Sequence, residues 1–184
     1  MATAIARHYD LIDAAISAHG GVRPEEQGEG DSVVAVFVDP VAAVKAAVDA
    51  QVALRDAVPD LPVRIALHTG DATLRNEDNY VGLTIIRCAR IRSCGHGGQI
   101  LVSGVSASLV SGVDLLDLGE HRLRDLSGVE RLFQVRADGL RVEFPRVRTV
   151  DAVPGNLPAQ TTSFVGRDVE VKELAELVRA HRLV

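Results

Sequence analysis

Apolar residues recur at helical spacing at the front of the chain. Ile5, Tyr9, Ile12 and Ile16 share one face, and Gly20-Gly21 ends the pattern. Between Gly21 and Phe37, two short runs of strand-forming residues flank Gly28-Glu-Gly-Asp31, which predicts a hairpin turning at Gly30-Asp31. Asp39 then offers an N-cap, Pro40 suits the first helical position, and Val41, Val44, Val48 and Val52 make one apolar stripe. Pro59 and Pro62 close that helix. Residues 63–67 read as a short buried strand, with residues 72–75 as its partner across the His68-Thr-Gly70 turn. A further helix is expected over 83–93, stopped by Gly95, then strands at 100–102, 115–118 and 132–135 with a short helix over 106–110. Alternation of this kind predicts an α+β sandwich, with helices packed on a mostly antiparallel sheet.

Composition narrows the class. A chain of 184 residues with 47% hydrophobic content can bury the core of one ordinary domain and carry an appendage. Twenty basic against 25 acidic residues give a net charge of −5, which argues against a general nucleic-acid or membrane surface. Two cysteines, Cys88 and Cys94, make no disulfide framework, and no signal peptide opens the chain, so a cytoplasmic, reduced setting is expected. No apolar run approaches the roughly 18 residues of a membrane span.

Segment order sharpens the reading. After the Asp31 hairpin come Val63-Arg-Ile-Ala-Leu-His-Thr-Gly70, Asn79-Tyr-Val-Gly-Leu-Thr-Ile-Ile-Arg-Cys-Ala-Arg90, Gly97-Gly-Gln-Ile-Leu-Val-Ser103 and Gly119-Glu-His-Arg-Leu-Arg-Asp-Leu126. Together, over about residues 5–135, they resemble the class III nucleotide cyclase homology domain found at the front of actinobacterial LuxR-type ATPase regulators. That resemblance implies a ferredoxin-like core with added C-terminal strands. The apolar first strand, ending Asp-Ile-x-Gly-Ser/Phe-Thr, should precede the first helix; only Met1 to Ala4 stand there. The expectation is therefore a cyclase-homology domain over 1–144 lacking its first strand, then a proline-containing linker over 145–162. Residues 163–184, opening with Ser163-Phe-Val-Gly-Arg167, look like the lead-in to a P-loop (NB-ARC-like) ATPase module without its phosphate-binding loop.

The resemblance also implies a chemistry. In a nucleotide cyclase the ribose 3′-oxygen attacks the α-phosphorus in line; the bond to the departing pyrophosphate breaks as the 3′-hydroxyl loses its proton. Two metal ions, Mg²⁺ or Mn²⁺, activate the nucleophile and neutralise the charge that develops. Family members hold them with two aspartates; Asp31 matches the hairpin one, and the other belongs to the missing strand. The positions that read the base are Gln27 and Asn79, amides able to suit adenine or guanine. The ribose-orienting asparagine is replaced by Ile86, while the arginine that stabilises the transition state is kept as Arg90. Arg124 matches a cation that holds phosphate. Family members work as head-to-tail dimers, so a homodimer with ATP or GTP as ligand is expected.

Plainer assignments fit the same residues. Asp31 suits a turn, Arg87, Arg90 and Arg92 suit the solvated face of an amphipathic helix, and Gln27 and Asn79 suit exposed positions. Cys88, Cys94 and His96 lack the paired C-x₂-C elements of a zinc site. His68 fits a strand-end turn, with no nucleophile or acid partner evident. With both halves of the catalytic site impaired, the leading expectation is a degenerate domain acting as a signalling or dimerisation module. A weakly active adenylate or guanylate cyclase is the alternative, and a non-functional gene fragment the third.

Overall fold

The computed structural model describes residues 2–24, 32–75 and 79–150, together with residues 172, 173, 176, 177 and 180. The chain divides into two compact units, Met1–Val153 and Pro154–Val184. In the second, the described residues are helical and exposed, Leu177 at 46% among them.

The first unit begins with α1 (Ala2–Ala18) and α2 (Pro40–Ala57). The Asp39 carboxylate accepts a hydrogen bond from the Val41 amide at 2.9 Å, as an N-cap should. Between these helices the expected hairpin leaves one antiparallel bridge, Val22 to Val36, among the described residues. Gly21 is required there, because a Cβ would meet the Phe37 ring at 2.4 Å. Six strands follow, interleaved with α3 (Leu83–Cys94) and the short α4 (Gly104–Leu109). They are β1 (Ile65–Leu67), β2 (Thr73–Arg75), β3 (Asn79–Val81), β4 (Ile100–Ser103), β5 (Asp114–His121) and β6 (Glu130–Arg136). The main sheet runs β1-β4-β6-β5, with β1 parallel to β4 and the other pairs antiparallel.

β4 sits inside the sheet and is buried along its length, so its Ile-Leu-Val run is apolar on both faces. Side chains alternate across a strand. Ile100 and Val102 pack with Val44 and Ala47 of α2 and Val135 of β6, whereas Leu101 packs with Ile91 and Cys94 of α3 and Leu132 of β6. Helices therefore cover both faces. α1 reaches the core through α2: Ile12 and Ile16 meet Leu54 and Val58. Each such fully buried aliphatic side chain contributes about 1.5–3 kcal/mol.

Two sequence expectations need correction. Residues 73–75 pair with Asn79–Val81, and not with the strand before the His68-Thr-Gly70 turn. β1 is instead joined to β4, a partner more than thirty residues downstream. The buried side of α2 is also rotated from the valine stripe: Val44, Ala46, Ala47, Ala50, Gln51 and Leu54 face inward. Alanines let this helix approach α1 and the sheet at once, which a row of valines would prevent.

Residues 145–150, expected to open a linker, stay attached to the first unit. Val147 and Thr149 are buried, the Arg148 amide donates to the Cys94 carbonyl (2.8 Å), and the Val150 amide to that of Arg122 (3.2 Å). A chain of amides secures the approach. Gln99 Nε2 donates to Gln134 Oε1 at 2.7 Å, and Gln134 Nε2 to the Val142 carbonyl at 2.8 Å.

Candidate functional site

β3 leads directly into α3 through Gly82, whose φ of 140° is a backbone conformation that few other residues adopt. The sequence of α3 puts Leu83, Ile86 and Arg90 in one row, at i, i+3 and i+7, while Ile91 and Cys94 in its last turn are its buried residues. Ile91 is fully buried and Cys94 nearly so. On the outer face, Leu83 is 74% and Ile86 48% exposed, and Leu74 and Val81 of the β2–β3 hairpin are exposed as well. An apolar front thus precedes a cation on the same helix.

Arg90 does not stand free. Its Nη2 lies 2.8 Å from Asp125 Oδ2, and Arg124 Nε lies 4.0 Å from the same oxygen. Asp125 occupies a turn in which the Leu126 amide donates to the Leu123 carbonyl at 3.4 Å. Both leucines pack in the core cluster with Ile91 and Leu132, so the turn is pinned at each end. With φ at 61°, Asp125 is the one non-glycine residue in the left-handed region among the described residues. Glycine adopts this region freely, and asparagine and aspartate visit it more readily than other side chains. Arg90 Nε is buried and makes no hydrogen bond among the described residues.

Behind this face lies a polar network at the ends of the parallel pair β1 and β4. His68 Nδ1 is 2.8 Å from Ser103 Oγ, Ser103 Oγ donates to Ser106 Oγ at 3.2 Å, and Thr69 Oγ1 is 2.9 Å from Ser106 Oγ. Ser103 also caps α4, accepting from the Ser106 amide. Burial, helped by the Arg87 guanidinium, holds the His68 pKa below its ordinary value. Arg87 Nη1 in turn meets Glu130 Oε2 at 3.4 Å; burial raises the Glu130 pKa and the arginine opposes that rise. Cys88 donates to the Ala66 carbonyl, and burial pushes its thiol to about 11, so it is no thiolate nucleophile at neutral pH.

Of the residues singled out from sequence, Arg90 and Arg124 come together around one carboxylate. Asn79 is half-buried at the start of β3, three residues before Gly82. Gln27 and Asp31 lie outside the described residues. No group of three His, Cys, Asp or Glu among the described residues is placed to hold a metal ion. His68 has a hydroxyl partner after all, although Ser103 is fully buried and offers no accessible nucleophile. The sequence reading missed Asp125: it sits in the motif beside Arg124, yet its partner Arg90 lies 35 positions upstream.

No family model matches the chain. An uncharacterized protein of Mycobacterium tuberculosis is 43% identical over 177 residues, 93% of this chain and 61% of the relative. A second uncharacterized protein of that organism is 32% identical over 165 residues, covering 85% of this chain and 63% of its own length. The chain thus spans just under two thirds of these curated relatives. A receptor-type adenylate cyclase of Trypanosoma equiperdum is 31% identical over 99 residues, 45% of this chain and 21% of that protein. Among solved structures, an adenylate cyclase from Trypanosoma brucei superposes with a TM-score of 0.64 at 22% identity, covering 80% of this chain and 83% of that one. The adenylate/guanylate cyclase/hydrolase from Silicibacter pomeroyi gives 0.60 at 26% identity, covering 71% and 80%. The α+β fold is that of adenylate and guanylate cyclase domains.

Proposed function

We infer that the chain is a degenerate class III cyclase-homology domain of a LuxR-type signalling regulator, acting as a signalling or dimerisation module in the cytoplasm. The observation that carries this reading is the outer face of α3. A site that orients a ribose needs a polar group one turn before the arginine, where it can hydrogen-bond the sugar. Ile86 stands there, half-exposed, with Leu83 more exposed still beside it. An apolar front of this kind suits a second copy of the chain better than a sugar. Residues 1–144, with 145–150 packed onto them, would then form the homology domain, the rest of 145–162 the link onward, and 163–184 the opening of an ATPase module.

The test is oligomeric state. The chain is expected to sediment as a dimer, and Leu83→Glu with Ile86→Glu to make it a folded monomer. A wild-type monomer at high micromolar concentration would sink this reading.

A second reading is a weakly active cyclase acting on ATP or GTP. It is favoured by the convergence of Arg90 and Arg124, two cations suited to a triphosphate, with Gln27 and Asn79 as relaxed base readers. Asp31 would hold the Mg²⁺ or Mn²⁺ that neutralises the charge developing on the departing pyrophosphate. Incubation with Mn²⁺ and either nucleotide, beside Asp31→Ala, decides it. Cyclic nucleotide that disappears in the variant establishes the enzyme; no product from the folded chain leaves the module.

A further inference from the structure

We propose that Asp125 is a positioning residue for Arg90, holding its guanidinium as an internal counter-ion that a phosphate-bearing ligand must displace. The inference deepens the reading of Arg90 and Arg124 as a triphosphate-facing pair and rests on it. Three observations carry it. The turn is fixed by its own core leucines, Leu123 and Leu126, so the position of Asp125 does not depend on the ion pair. Its backbone lies in the left-handed region, which aspartate visits more readily than most side chains and glycine adopts without strain. The carboxylate oxygen lies 2.8 Å from Arg90 Nη2, within hydrogen-bond reach, and 4.0 Å from Arg124 Nε, within ion-pair reach only. One carboxylate leaves two arginines with a net positive charge, so a ligand carrying several negative charges competes well for the same place.

The pair is partly exposed, 40% at Arg90 and 57% at Asp125, so its strength lies in the modest range of a surface ion pair. Expected effects are correspondingly modest. The experiment uses the full chain, an arginine-selective dicarbonyl reagent and peptide mapping by mass spectrometry, with inorganic tripolyphosphate as the competing anion. Arg90 should be modified up to about fivefold faster in Asp125→Asn than in wild type, the range such a pair allows. Arg64, exposed and in neither of these ion pairs, serves as the internal control and should change less than twofold. Tripolyphosphate should protect Arg90 at several-fold lower concentration in the variant. Asp125→Gly, which suits the left-handed backbone, should behave alike and melt no lower than wild type; it carries the same test if the asparagine variant folds poorly.

Equal Arg90 reactivity in wild type and both variants overturns the proposal, whatever the cyclase assay gives. Faster modification with no protection by tripolyphosphate also overturns it, reducing the contact to a structural ion pair. Faster modification with protection supports it even if no cyclic nucleotide is ever made, so its failure and that of the enzymatic reading can be told apart.

Discussion

The two halves of α3 share one helix, yet the half richer in large aliphatic residues is the one left more exposed. The C-terminal half buries Ile91 and Cys94 against Leu101, Leu132 and Val147. The N-terminal half leaves Leu83 and Ile86 in solvent, beside an exposed hairpin. Apolar content alone did not decide which half joined the core. Position did: Leu101 of β4 and Val147 pack with Ile91 and Cys94 in the last turns of the helix. The exposed half is thus apolar surface that the described residues leave uncovered.

Substitutions can break or sharpen that contrast, the largest first. Ile91→Ala leaves a cavity in the tightest cluster and should cost about 2–5 kcal/mol in urea unfolding. Gln134→Leu strands the Gln99 amide and the Val142 carbonyl, and should cost about 1–3 kcal/mol, with residues 142–150 losing amide protection in hydrogen exchange. Leu83→Ser, on the exposed half, should stay within about 0.5 kcal/mol of wild type. If Leu83→Ser costs as much as Ile91→Ala, the two halves are not different and the apolar front is already covered.

A finer test uses pH at the middle of the helix, where Arg87 faces His68. The folded-state pKa of His68 lies below its ordinary value of 6.5, so within that window the unfolded chain binds more protons. Its contribution to stability is therefore intact above pH 6.5 and declines as pH falls toward the folded value. Glu130, raised above its ordinary 4.5, acts in the opposite sense. The melting temperature of wild type should drop more than that of His68→Gln between pH 7.5 and 5.5. Parallel curves would remove His68 from the account.

Local chemistry made much of the fold legible. Asp39-Pro40 announced α2, Gly95 the end of α3, and the Ile-Leu-Val run a strand, because each signal acts within a few residues; burial was misassigned, since the segment expected to be the buried strand, 63–67, gives a half-buried β1. What failed depends on distant partners. A three-residue strand such as 73–75 contains nothing that chooses between neighbours, and the valine stripe of α2 lost to alanines because two surfaces pressed on that helix. In the candidate site, Arg90 and Arg124 were visible as motif positions. Asp125 was not, since its role comes from an arginine on another element, 35 positions upstream.

The attachment of residues 145–150 has a mechanical consequence. Arg148 is tied to the last turn of α3 and Val150 to the chain just before the Asp125 turn. Tension applied to the backbone beyond Val150 would pass first into those two carbonyls. The two elements that receive the pull are those carrying Arg90 and Asp125. A tug on that tether would therefore be felt as shear across a single ion pair.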